Sequence, residues 1–208
     1  MVTLHFEGAD NLGKSTIINK LVNYFKDTKD ITMMHCKGPR PSEGEDPFLY
    51  QSKAFKEKAM KINSILSVEQ AFSTSENNIV ILDRSWYGEY VYGQIYRNAN
   101  PERIVEMIKR CEDILYCPSI VIYLKASSKF ILGNDDNKSL SSACEENERL
   151  SKIENELKLF SECFEKVSPK NFLEINVEDD NGNFRKIEDI FNEIIVYLTN
   201  NKDFIDNI

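Results

Sequence analysis

The 208 residues contain no uninterrupted apolar run of about 18 or more, which excludes a membrane-spanning helix of ordinary length. Cations are in short supply: 26 lysines and arginines face 34 aspartates and glutamates, a net charge of −8. Proteins that coat duplex DNA or sit on anionic lipid need basic faces to neutralise phosphates, so this balance argues against both. It leaves room for a local basic cleft. The five cysteines, Cys36, Cys111, Cys117, Cys144 and Cys163, are odd in number, irregularly spaced and without a C-x-x-C pair. That pattern fits reduced thiols rather than a disulfide scaffold. The opening MVTLHFEG lacks the basic and long apolar stretches of a secretory signal, so a cytoplasmic location is expected. Repeats, linkers and low-complexity tracts are also missing. At 41% hydrophobic and 29% charged, the chain suits one domain over 1–208 with a core that stands without staples.

What is present alternates. Apolar runs at 2–6 (VTLHF), 31–36 (ITMMHC), 79–82 (IVIL), 120–124 (IVIYL) and 172–177 (FLEINV) read as strands. Helix-like stretches at 14–26, 48–73, 87–96, 101–115, 143–165 and 187–198 separate them, the second with a break near its middle. Residues 37–47 carry three prolines and two glycines and read as loop, and the polar segment 127–140 reads as a second, mobile one. Continuous apolar strands interleaved with helices imply a parallel α/β sheet covered on both faces. Ligands in such sheets bind beyond the carboxyl ends of the strands.

The first strand runs into Gly8-Ala9-Asp10-Asn11-Leu12-Gly13-Lys14-Ser15, a match to G-x-x-x-x-G-K-[ST]. The glycines let backbone N–H groups turn inward around phosphate oxygens. Lys14 adds a point charge at the β- and γ-phosphates, Ser15 offers a hydroxyl to Mg²⁺, and the following helix aims its positive end at the same anion. Chance matches arise in roughly one chain of this length in a hundred. The third strand ends in Asp83-Arg84-Ser85. ATPase motors place Asp-Glu here to activate water; an Asp followed by Arg suits a kinase, the Asp serving the metal and the Arg a phosphate. Neither N-K-x-D nor D-x-x-G after this strand occurs, which argues against a GTPase.

These residues resemble the thymidylate kinase family and its relatives, the deoxynucleoside kinases. Residues 5–16 are similar to F-E-G-x-D-x-x-G-K-[ST]-T. Residues 83–93 are similar to D-R-x-x-x-S-x-x-A-Y-Q, with Tyr92 at the tyrosine. The string E-Y-V-Y-G-x-I-Y-R looks like phage kinases of this group, which would place the protein in a host cytoplasm. The resemblance implies a three-layer P-loop fold: a five-stranded parallel sheet, helices on both faces and a lid at about 127–142. It implies transfer of the ATP γ-phosphoryl group to a deoxynucleoside monophosphate, with Mg²⁺. Carried over by position, Gly8, Asp10, Asn11, Leu12, Gly13, Lys14, Ser15 and Thr16 hold the donor nucleotide, and Ser15 and Asp83 serve the metal. Lys14, Asp83 and Arg84 are the catalytic set. Asp10, Arg40, Arg84 and Tyr92 face the acceptor, with Lys37 as a second basic candidate beside Arg40; Arg97 joins this acceptor set from its place at the end of the aromatic helix rather than from the family pattern. Two positions depart from the family: Asn11 stands where an arginine can follow the loop aspartate, and 127–142 contain no arginine at all. Arg149, just beyond, is the nearest replacement.

Other candidates have plainer readings. Trp86, Tyr87, Tyr90, Tyr92 and Tyr96 crowd one helix, where aromatics serve as core or stack on a base. Arg97 is either a helix-terminal solvated cation or a phosphate ligand, and Glu7 either a general base or part of a buried ion pair. His5 and His35 read as strand histidines, 145–156 as a solvated acidic helix face, and Asp135-Asp136 and Asp179-Asp180 as solvated loops. Two alternatives stand beside the nucleotide kinase. One is a kinase acting on a hydroxyl, of a deoxynucleoside or of 5-hydroxymethyluracil in phage DNA, for which a basic groove near Arg84, Arg97, Arg103 and Lys109 would speak. The other is a non-catalytic nucleotide-binding protein. A homodimer is left open.

Overall fold

The computed structural model describes residues 1–36, 47–72, 78–115, 117–134 and 146–205. In chain order the elements are β1 (Val2–Glu7), α1 (Lys14–Phe25), β2 (Asp30–His35), α2 (Pro47–Phe72), β3 (Asn78–Asp83), α3 (Tyr87–Arg97) and α4 (Pro101–Asp113). They continue with β4 (Ser119–Lys125), α5 (Ser128–Gly133), α6 (Glu146–Val167), β5 (Phe172–Asn176), α7 (Ile187–Asn200) and α8 (Lys202–Ile205). The five strands form one parallel sheet in the order β2-β3-β1-β4-β5. The expected α/β fold, a five-stranded parallel sheet with helices on both faces, is the one observed. Among the described residues no helix is long and apolar enough to cross a membrane.

The central strands are apolar because both faces are covered. Val2, Leu4, Phe6, Ile79, Ile81, Ile120, Ile122 and Leu124 point to one core, shared with α1, α5 and α7. Val80, Leu82, Val121 and Tyr123 point to the other, shared with α2, α3, α4 and α6. β1 lies between β3 and β4, so the chain leaves its carboxyl end at the point where strand order reverses, the place where sheets of this kind bind ligands.

Local chemistry accounts for the helix ends. Asn100 accepts from the Arg103 N–H at 2.9 Å, and Pro101 follows at the first helical position of α4. Ser127 does the same for α5, accepting from the Phe130 N–H at 3.1 Å. This corrects the loop expected from residue 127: 128–133 are helical, because the cap and the burial of Phe130 and Ile131 outweigh the polar average of the segment. The remainder of the expected lid, 135–142, lies outside the described residues, as does Cys144. The break expected inside the second helix is absent, since α2 runs for 26 residues. The short α8 was not anticipated. Cys36, Cys111, Cys117 and Cys163 are all free thiols.

Gly8 is a tight backbone position. Its φ is +138°, and a Cβ there would lie 2.4 Å from the Leu124 carbonyl oxygen of β4, a rigid neighbour. Gly8→Ala is expected to cost about 2 kcal/mol or more in urea unfolding. Gly133→Ala, where a Cβ meets nothing within 4 Å, should leave stability unchanged or raise it by up to about 1 kcal/mol. Equal stability of the two variants would contradict this account of the loop.

Candidate phosphate-binding site at the carboxyl edge of the sheet

The loop leaving β1 turns through positive φ at Gly8 (138°), Asn11 (62°) and Gly13 (74°). Leu12, fully buried, pins it to the core. No acidic residue stands in the first turn of α1, and Gly13 supplies no side-chain cap. The helix therefore presents its amide hydrogens and positive dipole end without a competing carboxylate. Ser15 and Thr16 are exposed at this end. Lys14 is buried, its Nζ donating to the carbonyls of Gly8 at 3.0 Å and Ala9 at 2.5 Å. Burial, and then the neighbouring Arg84 charge, brings the Lys14 pKa down to about 8; Asp10, Asp83 and Glu156 pull it back up. The ring of Phe184, arriving from the segment after β5, lies against Gly13.

At the end of β3 the chain makes a left-handed turn at Arg84, with φ of 66°. A residue other than glycine holds this conformation only where its surroundings fix it. Here they do. The Arg84 N–H donates to the Phe6 carbonyl at 3.0 Å. The Ser85 N–H and hydroxyl both donate to Glu7 Oε1, at 2.6 and 2.7 Å. Lys58 of α2 donates to the Ser85 carbonyl at 3.1 Å. His5 Nδ1 lies 2.9 Å from Ser85 Oγ; that hydroxyl's hydrogen is spent on Glu7, so Nδ1 is the donor. Burial lowers the His5 pKa and raises that of Glu7. Glu7 is thus a structural clamp on the turn, at 1% exposure.

Held this way, the Arg84 guanidinium pairs with Asp10 and lies 5.1 Å from the centre of the Tyr92 ring. The Tyr92 hydroxyl donates to Glu156 of α6 at 2.7 Å. Burial raises the Glu156 pKa and Asp10 adds to it; the Tyr92 hydrogen bond, Arg84 and Lys14 act against it. The structure therefore gathers Asp10, Lys14, Asp83, Arg84 and Tyr92, five of the expected site residues. It adds Glu156, which the solvated reading of 145–156 missed. The signal was the helical spacing to Ile153 and Phe160, which places Glu156 on the buried side of α6.

Arg97 is in a different setting. It is 5% exposed and paired with Glu89, which also accepts from Lys58 at 2.6 Å. Neither of its two expected readings, solvated cation or phosphate ligand, describes this buried triad. Arg40 and Lys37 lie outside the described residues. Trp86, Tyr87 and Tyr90 are core, whereas Tyr92 and the exposed Tyr96 stack on each other with ring centres 6.2 Å apart. The four basic residues named for a DNA groove do not line one. Arg97 is buried, Arg103 bonds Ser52 at 3.1 Å, and Lys109 lines a cavity with Pro118 and Asn171 at the opposite, amino edge of the sheet.

Mg²⁺ takes hard oxygen ligands, few from the protein and the rest from phosphates and water. The residues fit that pattern. Asp83 Oδ1 is buried with no hydrogen-bond partner among the described residues, Ser15 is exposed at the start of α1, and no group of three carboxylate, histidine or cysteine side chains forms a closed metal cage among the described residues.

No family model matches the chain. No curated protein matches its sequence. Solved structures do match its fold. The thymidylate kinase of Ehrlichia chaffeensis superposes with a TM-score of 0.62 at 15% identity, covering 95% of this chain and 98% of that one. The YorR protein of Bacillus subtilis, solved in complex with phosphorylated GDP, superposes with a TM-score of 0.56 at 19% identity, covering 95% of both chains. The chain is similar to these proteins over nearly its whole length, and what it shares with them at this identity is the fold.

The clamp on the turn generates a prediction. Glu7→Ala removes the acceptor for a buried N–H and a buried hydroxyl and is expected to cost about 2–4 kcal/mol. Glu7→Gln keeps an acceptor oxygen, and should unfold close to wild type at pH 7. An equally large loss in both, by chemical denaturation, would mean that the charge rather than the acceptor matters.

Proposed function

We propose that the protein is an ATP-dependent nucleotide kinase that transfers the γ-phosphoryl group to a deoxynucleoside monophosphate. One observation carries the reading: the left-handed turn at Arg84 holds a guanidinium beside the Lys14 loop, facing Asp10 and Tyr92. A planar guanidinium there is a bidentate clamp for the acceptor phosphate. The resemblance of residues 5–16 and 83–93 to thymidylate kinases and the shared fold support it. The loop of residues 8–13 and the start of α1 bind the donor phosphates, and Lys14 leaves its two carbonyls to meet the β- and γ-oxygens. Asp83 and Ser15 would hold Mg²⁺, which when bound supplies charge neutralisation across the phosphates. Tyr92 and Asp10 orient the acceptor's base and sugar.

The monophosphate is preferred over a hydroxyl because an acceptor phosphate is already anionic and needs no base. Glu7, the carboxylate that the sequence offers as a possible base, is engaged by Ser85. The burial of Arg97 and the place of Lys109 at the amino edge of the sheet count against DNA as acceptor.

Three outcomes follow from the assigned roles. Lys14→Ala should abolish turnover while the far-ultraviolet circular dichroism stays that of the folded protein; near-normal activity would end the assignment. Arg84→Ala should lower kcat/KM for the monophosphate by about a hundredfold or more, chiefly through KM of the acceptor, and Arg84→Lys should not restore it. Lys14 is cationic below its pKa and neutral above, so kcat/KM for ATP should fall as pH rises through about 8. A profile flat from pH 7 to above that value would show that the lysine charge is not what binds ATP.

A further inference from the structure

We infer that His35 is a positioning residue for the Asp83 carboxylate, fixing which of its oxygens faces the cation that accompanies the donor nucleotide. The inference rests on the reading of Asp83 as a metal-serving residue given above. His35 and Asp83 are the last residues of β2 and β3, and they are register partners in the parallel ladder. The Cys36 N–H donates to the Asp83 carbonyl at 3.0 Å, so the two strand ends are tied one residue beyond the ladder. Register partners on neighbouring strands point their side chains to the same face. His35 Nδ1 lies 2.7 Å from Asp83 Oδ2. A carboxylate has only acceptors to offer, so the imidazole donates.

The two oxygens of Asp83 are then unequal. Oδ2 is taken by His35, and Oδ1 is buried without a hydrogen-bond partner among the described residues. An anionic oxygen withdrawn from water without a donor is costly, unless a cation is the partner it is built for. The last torsion of an aspartate is broad and soft. Among the described residues the Asp83 side chain has one hydrogen-bond donor, the His35 imidazole at 2.7 Å. The hydrogen bond is therefore what sets the direction of the carboxylate. Hydrogen-bonded partners of this kind matter for ligand orientation, and removing one commonly costs about tenfold to a hundredfold in metal affinity.

The test uses Mn²⁺ as probe, with the full-length protein saturated with ADP so that no turnover occurs, and counts free Mn²⁺ by electron paramagnetic resonance. Metal-free ADP affinity and the melting curve of each variant are measured alongside, as readouts of the nucleotide site and the fold. Asp83→Asn is expected to weaken Mn²⁺ binding by about tenfold or more, and His35→Ala by a similar factor, with metal-free ADP affinity unchanged. His35→Asn, whose amide nitrogen falls where Nδ1 was, should recover most of the loss. His35→Gln, whose nitrogen falls where Nε2 was, should not. If Asp83→Asn binds Mn²⁺ as wild type does, the reading of Asp83 fails and the inference with it. If Asp83→Asn is impaired and His35→Ala is not, or if Asn rescues no better than Gln, the reading of Asp83 stands and the positioning role of His35 is overturned.

Discussion

The peptide joining Arg84 to Ser85 is the constraint on which the rest of the site depends. Four groups from two elements close on it: the Phe6 carbonyl, Glu7 carboxylate and His5 imidazole of β1, and the Lys58 ammonium of α2. Together they hold Arg84 at a positive φ that its side chain would otherwise avoid. Release of this turn would swing the guanidinium away from Asp10 and Tyr92, and would leave Ser85 polar groups buried without partners. The network continues through Lys58 to Glu89 and Arg97. Removing one member would strand a buried charge, which costs far more than the pair contributes net.

The acidic composition takes on a local meaning here. The charges of Lys14 and Arg84 oppose one another; nearby Asp10, Asp83 and Glu156 offset that at Lys14, and Asp10 pairs with Arg84. Asp10 is mostly exposed, so its pairing with Arg84 is screened by solvent and exchanges readily for a stronger anion. A phosphate offers that exchange with bidentate geometry. Lys14, bound to two carbonyls and partly stripped of its preference for charge, likewise gains a better partner in a phosphate.

Much of this was legible in the amino-acid order. The strands read from their apolar runs because burial on both faces leaves no polar alternation to confuse them, and the loop from Gly8 to Ser15 and the Asp83-Arg84 pair sit where their spacing puts them. α5 was missed because three apolar residues, Phe130 to Leu132, are too few to show a period, and the Ser127 cap looks like any serine in a polar stretch. Glu156 was hidden among surface glutamates of the same helix. Arg97 could not be placed because its partner Glu89 is eight residues back and the third member, Lys58, lies on another helix. The facing of His35 and Asp83 needs the register of β2 on β3, which neither strand's sequence encodes alone.

Phosphoryl transfer from ATP to a nucleoside monophosphate is tested by a single acceptor panel. Purified protein is incubated with Mg²⁺ and γ-labelled ATP, together with each deoxynucleoside, each deoxynucleoside monophosphate, or hydroxymethyluracil-containing DNA, and labelled products are separated. Label is expected in at least one nucleoside diphosphate and none in nucleosides or DNA. Label confined to a nucleoside or to DNA, or no transfer to any acceptor, would contradict it.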